Sequence, residues 1–341
     1  MQKSSTERPK EVRNSGIKSI LKTKPGKVTT IKHVKFSDAH TVAPAPIPAP
    51  NNNKSMRKNT RRGKRHSTTK TLRNLKLLTF NTNGIKSKIN SLTSALHRHG
   101  THIAAITETH LNDSETLTIP GYKWIGKNRT SKTGGGIGFL IRNDISNITC
   151  EDPNTKEENN TETLWIKIRS KTTINIAVTY GPQENYRKEQ TERYYHNLTT
   201  DTIRRQKEAS AIIMGDLNAK LKIYRDRCQQ EGSRNGTMLQ NYLDTTNMTV
   251  VNKLNKHTGN WTRVNRKRPD EKSIIDYILI SQPLSNKVIE SNTDEQGIYQ
   301  ITGENATDHN TITCTLNTEM IREQQSTRKW KKGDDQGRDK F

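Results

Sequence analysis

The sequence predicts an α+β domain in which two packed β-sheets carry helices on their outer faces, preceded by a basic segment that cannot build a core. Three observations lead there. From about Leu72 to residue 318, short β-rich runs far outnumber helical stretches, the balance that suits two stacked sheets. That span, about 245 residues, fits one domain of this type. Before it, residues 1–70 hold a single aromatic (Phe36), six of the 11 prolines and the stiff run "APAPIPAP", a composition that leaves the chain disordered.

The elements follow in order. "LKLLTFN" (75–81) and "HIAAITE" (102–108) are strand candidates, and the intervening "KSKINSLTSALHRHG" spaces Ile89, Leu92 and Leu96 along one helical face before a terminal glycine. Together they make one β-α-β unit. Further strands are expected at "GGGIGFLIR", "TLWIKIR", "INIAVTY", "SAIIMGD", "MTVVN", "SIIDYILIS" and "HNTITCTL". Amphipathic helices are expected near 187–207, where Tyr194, Tyr195 and Leu198 form a core face, and near 236–247. "TGGGIG" (133–138) lacks the GK[ST] ending of a phosphate loop and runs into a strand, so it reads as a hairpin turn. Residues 319–341 form a charged tail.

Charge narrows the function. The chain carries 58 Lys+Arg against 34 Asp+Glu, formally +24 with a pI near 9.9, which favours a polyanionic partner such as nucleic acid or an acidic membrane surface. The excess concentrates in residues 1–70, with 18 Lys+Arg and 3 Asp+Glu. There "RKNTRRGKRH" (57–66) reads as a nuclear-import signal, a phosphate-binding patch or a solvated charge run. Three scattered cysteines, Cys150, Cys228 and Cys314, support neither a zinc knuckle nor a disulfide framework. No apolar stretch approaches a membrane span, so a soluble, intracellular protein is expected, nuclear or cytoplasmic.

Polar residues recur where the expected strands end: Asn81, Glu108, Tyr180, Asp216 and Asn218, with Asp276 inside "IIDYILI" and Asp308–His309 before the last strand. Singly, each is ordinary turn chemistry. As a set they could share a cleft. Glu108 offers a hard oxygen suited to Mg²⁺, with Asn81 giving a carbonyl oxygen or orienting it. Gly215 lets the backbone bend so that Asp216 could hold or deprotonate a water and Asn218 could donate to a developing phosphorane oxygen. Asp276 in an apolar strand needs a partner, and His309 is the obvious one, since an Asp–His contact fixes the tautomer and leaves the other ring nitrogen to take a proton. Asp308 would then be a further metal or water ligand.

"TFNTNG", "TETH", "VTYGP", "MGDLNA", "IIDYILIS" and "ATDHN", in this order, resemble the endonuclease/exonuclease/phosphatase superfamily, with its DNase I and apurinic-endonuclease members, over roughly residues 74–318. The resemblance implies a four-layer, DNase I-like α/β sandwich over residues 72–318. It also implies metal-binding roles for Asn81 and Glu108, an active-site Tyr180, the Asp216–Asn218 pair, an orienting Asp276, and the terminal pair Asp308–His309. Thr307 replaces the usual serine and keeps its hydroxyl; Asn83 stands where some relatives have an acid. "LKLLTFNTNGIKSKINSL" and "NWTRVNRKRPDEKSIIDYILIS" further resemble the endonuclease domain of non-LTR (LINE-type) retrotransposons, and "RKWKKGDDQGRDKF" is similar to the linker before their reverse transcriptase. Trp261 could stack on a nucleotide or be buried. The implied activity is Mg²⁺-dependent (or Mn²⁺-dependent) nicking of DNA, in which the metal at Glu108 polarises the scissile phosphate, Asp216 or His309 activates water and the 3′-oxygen leaves. The rivals are a phosphatase or lipid phosphodiesterase of the same fold, and a non-catalytic nucleic-acid-binding scaffold that docks type-1 protein phosphatase.

Ser19, Ile20, Leu21 and Lys22 ("SILK") and Val34 and Phe36 within "KHVKF" resemble the paired docking motifs for type-1 protein phosphatase. Alternation of Val34 and Phe36 would suit strand addition to a sheet edge.

Overall fold

A computed structural model describes residues 71–112, 114–129, 134–145, 148–150, 162–169, 172–225, 228–297 and 306–321. The docking residues Ser19, Ile20, Leu21, Lys22, Val34 and Phe36, the rest of the basic segment and residues 322–341 lie outside the described residues.

Two mixed sheets form the centre. The seven-stranded sheet runs in the order His257–Thr258, Val288–Thr293, Ile312–Ile321, Thr71–Asn81, Ile103–Thr107, Ile137–Arg142, Tyr122–Lys127. The six-stranded sheet runs Met248–Val250, Asp276–Ser281, Ser210–Asp216, Ile174–Tyr180, Glu162–Ile168, Ile148–Cys150. Side chains on a strand alternate between its faces, and the parity here sorts the core. Leu75, Leu77, Ile103, Ala105, Ile176, Val178, Ile212, Met214, Ile278 and Ile280 meet in the cluster between the sheets.

The opposite parity faces outward. Leu78, Phe80, Ala104 and Ile106 pack with Leu92, Ala95 and Leu96 of α1 (Ile89–His99). Ala177, Ala211, Ile213, Tyr277 and Leu279 pack with Tyr194, Tyr195 and Leu198 of α2 (Lys188–Gln206) and Leu239, Tyr242 and Leu243 of α3 (Arg234–Thr246). The result is a four-layer α+β sandwich. Both faces of the central strands are covered, which is why they read as continuous apolar runs. Each fully buried Leu, Ile or Phe contributes roughly 1.5–3 kcal/mol.

The expected β-α-β unit is present: Thr71–Asn81 pairs parallel with Ile103–Thr107, and α1 between them ends on Gly100 at φ 61°. The glycine run opens no helix. Gly134–Gly136 lead into the strand Ile137–Arg142, which pairs antiparallel with Tyr122–Lys127, with Lys127 opposite Ile137. Strands that the sequence reading did not find, among them Tyr122–Lys127, Ile148–Cys150 and Val288–Thr293, lie at or next to sheet margins, and their burial is partial ("VIESNT" is buried at three positions only). No helix among the described residues is long and apolar enough to cross a membrane.

Candidate active site

Strand register builds the site. In the six-stranded sheet Asp216 lies opposite Asp276 on one side and Tyr180 on the other, so the three form a cross-strand row. Their parity matches Met214, Ile278 and Val178, so all three point between the sheets at the end where the apolar core stops. In the other sheet Asn81 shares parity with Leu75 and Leu77, and Glu108 follows the strand partner Thr107. The side chains meet in a cleft of about 440 Å³ whose lining includes Asn81, Asn83, Glu108, Tyr180, Asp216, Asn218, Asp308 and His309.

His309 Nδ1 lies 2.9 Å from Asp276 Oδ2 and 3.1 Å from its Oδ1, and both residues are buried. Its Nε2 faces Asp216 Oδ2 at 3.9 Å and Asp308 Oδ1 at 3.7 Å. Burial alone would push the imidazole toward neutrality. The surrounding carboxylates of Asp276, Asp216 and Asp308 outweigh it and raise the ring's pKa to about 10. Asp216 is itself lifted to about 7, first by burial and then by the negative charge of Asp276, with His309 and Asn81 pulling the other way. Asp276 is held from behind, where Thr262 Oγ1 accepts from the Asp276 amide at 3.1 Å and Asn252 Nδ2 donates to its carbonyl at 3.1 Å.

The amide of Asn81 turns its nitrogen, not its oxygen, toward the acids. Nδ2 donates to Glu108 Oε1 and to Asp216 Oδ2, each at 3.0 Å, while Oδ1 accepts from the Asn83 amide at 3.0 Å. In this arrangement the Asn81 amide holds Glu108 and Asp216 together. Asn218 donates its backbone N–H to Asp216 Oδ1 at 2.9 Å, and its Nδ2 donates to the Gly181 carbonyl at 3.0 Å. Asp308 lines the cleft, with its Oδ2 paired to Arg263 at 2.7 Å and its Oδ1 3.7 Å from His309 Nε2. Thr307 does what a serine there would do, donating to the Asn81 carbonyl at 2.9 Å and accepting from the His309 amide at 3.1 Å. Tyr180 is held protonated by burial and by the charges of Glu108 and Asp216. Trp261 lies outside the cleft lining, half-buried against the cluster under α2 and α3.

Four of the five non-glycine residues with positive φ among the described residues cluster here: Asn83 (43°), Glu108 (50°), His110 (52°) and Asn218 (46°). Such conformations persist where surroundings over-determine them. For Glu108 the surroundings are Gly135 and Gly136, whose carbonyls accept from the His110 and Thr109 amides at 2.8 and 3.1 Å. A Cβ on Gly136 would lie 2.5 Å from Thr109 Oγ1, so only glycine lets the two loops approach. Arg263, Thr262 and Asn252 were missed by sequence reading, since nothing local marks an arginine or amide that acts through another residue.

Fold and site together define a hydrolytic phosphoesterase. Residues 78–309 match the endonuclease/exonuclease/phosphatase family, and the chain belongs to it. Among solved structures it resembles the 3′ phosphatase NExo from Neisseria bound to a product DNA hairpin (15% identity, 72% of this chain and 100% of that one covered, TM-score 0.59). It also resembles the AP endonuclease LMAP from Leishmania major (16%, 72% and 88%, TM-score 0.57). A third is the endonuclease domain of TRAS1, a telomere-specific non-LTR retrotransposon (15%, 72% and 98%, TM-score 0.53). No curated protein matches the chain.

The donor set fits a hard divalent cation. Glu108, with 20% of its side chain exposed, offers carboxylate oxygens to the cleft, and ligand atoms of Asp216, Asp276 and His309 lie within 4.8 Å of one another. Since Asp276 and His309 are already bonded to each other, Glu108 is the group best placed to hold such an ion, beside Asp216.

Proposed function

We propose that the chain is a divalent-metal-dependent endonuclease that nicks DNA, of the type carried by non-LTR retrotransposons. The observation that supports this most is the buried Asp276–His309 pair facing Asp216 at the base of an open, polar cleft beside Glu108. Asp216, with a carboxyl value near neutrality, is suited to take a proton from the attacking water. His309, kept charged by the carboxylates around it, faces the place where phosphorane charge develops. As the water oxygen bonds to phosphorus in line, the bond to the 3′-oxygen breaks. Asn81 keeps Glu108 and Asp216 at fixed separation, and Tyr180 Oη, which accepts from Gln183 Nε2 at 3.2 Å, keeps its own proton for donation. Bound Mg²⁺ or Mn²⁺, held by Glu108, would supply polarisation of the phosphate and charge neutralisation.

The test is nicking of supercoiled plasmid with Mg²⁺, with chelator, and by His309→Ala, run beside phosphate release from inositol phosphates. Metal-dependent nicking that His309→Ala loses supports the reading. Phosphate release without nicking would replace it with a phosphatase.

A further inference from the structure

The helix α3 begins against two loops whose residues line the cleft, and its second residue is the fully buried Asn235. A polar side chain in a first helical turn normally faces solvent; this one is buried because it bridges two loops. Its Nδ2 donates to the Pro182 carbonyl at 2.8 Å and to the Asn218 carbonyl at 3.2 Å. Pro182 belongs to the loop that follows the Tyr180 strand and brings Gln183, Glu184 and Asn185 to the cleft. Asn218 belongs to the turn that follows Asp216.

The helix is fixed in place on both sides. Ser233 caps it, accepting from the Gly236 amide at 3.1 Å, and its own amide donates to the Lys220 carbonyl at 3.0 Å. A Cβ on Gly236 would lie 1.7 Å from that same carbonyl, so the helix start sits directly on the 218–221 segment. On the other side, the Arg234 guanidinium donates to the carbonyls of Glu184 and Tyr186 at 2.7 and 2.9 Å. The two loops also meet each other, through the Gly181 amide on the Asp216 carbonyl at 2.8 Å and Asn218 Nδ2 on the Gly181 carbonyl at 3.0 Å.

We infer that Asn235 is a positioning residue for the hydrolytic reaction, its one amide group clamping the Asn218 turn to the 181–187 loop. The clamp holds Asn218 at φ 46°, and that conformation aims the Asn218 amide at Asp216 Oδ1 at 2.9 Å. The inference rests on the phosphodiesterase reading above, because the acid that Asn235 indirectly fixes is the one proposed to activate water. Displacement of such a group by about 1 Å costs roughly 10²-fold in rate while ground-state binding is largely kept.

The experiment compares the wild-type chain with Asn235→Ala and with Asn235→Asp, which keeps the volume and loses the NH₂ donors. It measures kcat and KM on plasmid and on bis(p-nitrophenyl) phosphate, Tm, and hydrogen exchange by mass spectrometry. The expected result is a kcat lowered about 10- to 100-fold with KM changed less than about threefold. Faster exchange should be confined to peptides spanning 181–187 and 216–221. Unchanged kcat and unchanged exchange in Asn235→Asp overturn the inference. So does exchange raised throughout the domain with a falling Tm and kcat and KM affected alike, the pattern of a merely structural residue. If wild type nicks no DNA yet hydrolyses the small diester, the nuclease reading falls and the kcat comparison on that diester still decides the clamp. If it hydrolyses neither, the positioning role falls with the phosphodiesterase reading.

Discussion

His309 shows how a surface-looking dipeptide becomes a buried charge. Its ring bonds Asp276 on one side and faces Asp216 and Asp308 on the other, so the imidazolium is favoured although burial opposes it. His309→Ala should lower the nicking rate by about 10²- to 10⁴-fold in a single-turnover plasmid assay, the range for a group acting on the transition state. A fall of less than about tenfold would remove it from that role. The Asp276–His309 partnership was legible in sequence because an acid in an apolar strand must find a partner. The pairing of Asp308 with Arg263 was not, since Arg263 reaches Asp308 through a hairpin whose path no local pattern specifies. Nor could spacing tell which end of the Asn81 amide faces Glu108; that depends on the Asn83 amide claiming the oxygen.

Among elements, the central strands were legible and the marginal ones were not. "INIAVTY" and "SAIIMGD" are covered on both faces and announce themselves by composition, while "YKWIGK" on the edge of its sheet is only half-buried and reads as loop. The Ser210–Asp216 strand depends on Gly215, where φ is 146° and a Cβ would lie 1.9 Å from the Thr179 carbonyl. Gly215→Ala should therefore displace Asp216 and destabilise the domain by about 1–3 kcal/mol, read as a lower midpoint in urea; an unchanged midpoint would show that the strands can part at no cost. The edge strand His257–Thr258 carries a pH dependence. Burial, and then the charge of Arg225, lower the His257 pKa from 6.5 to about 4, and its nitrogens lie 3.0 and 3.1 Å from the Ser291 and Thr293 hydroxyls. The unfolded chain takes up that proton first, so this contribution is intact above pH 6.5 and is lost as pH falls toward 4. His257→Gln should flatten the decline in urea midpoint between those values, and an equal decline in both proteins would contradict the assignment.

For the molecule as a whole, sequence foresaw a two-sheet sandwich because short β-rich runs far outnumber helical stretches, and the polar cleft lies where the apolar runs of the central strands end. Charge adds a prediction of its own. Residues 1–70 carry 18 Lys+Arg against 3 Asp+Glu, and phosphate contacts release counterions with a slope of about 0.9 per contact. Deleting them should weaken DNA affinity and flatten its salt dependence, measured by fluorescence anisotropy, while hydrolysis of a small diester persists; unchanged slopes would place DNA recruitment elsewhere in the chain. The account rests on Asp276 and His309 working as one unit beside Asp216, and a double-mutant cycle of Asp276→Asn and His309→Ala in single-turnover nicking tests that most directly. The double variant should be no slower than His309→Ala alone, because groups that act together are lost together. Multiplicative losses, each substitution costing its full factor in the presence of the other, would contradict it.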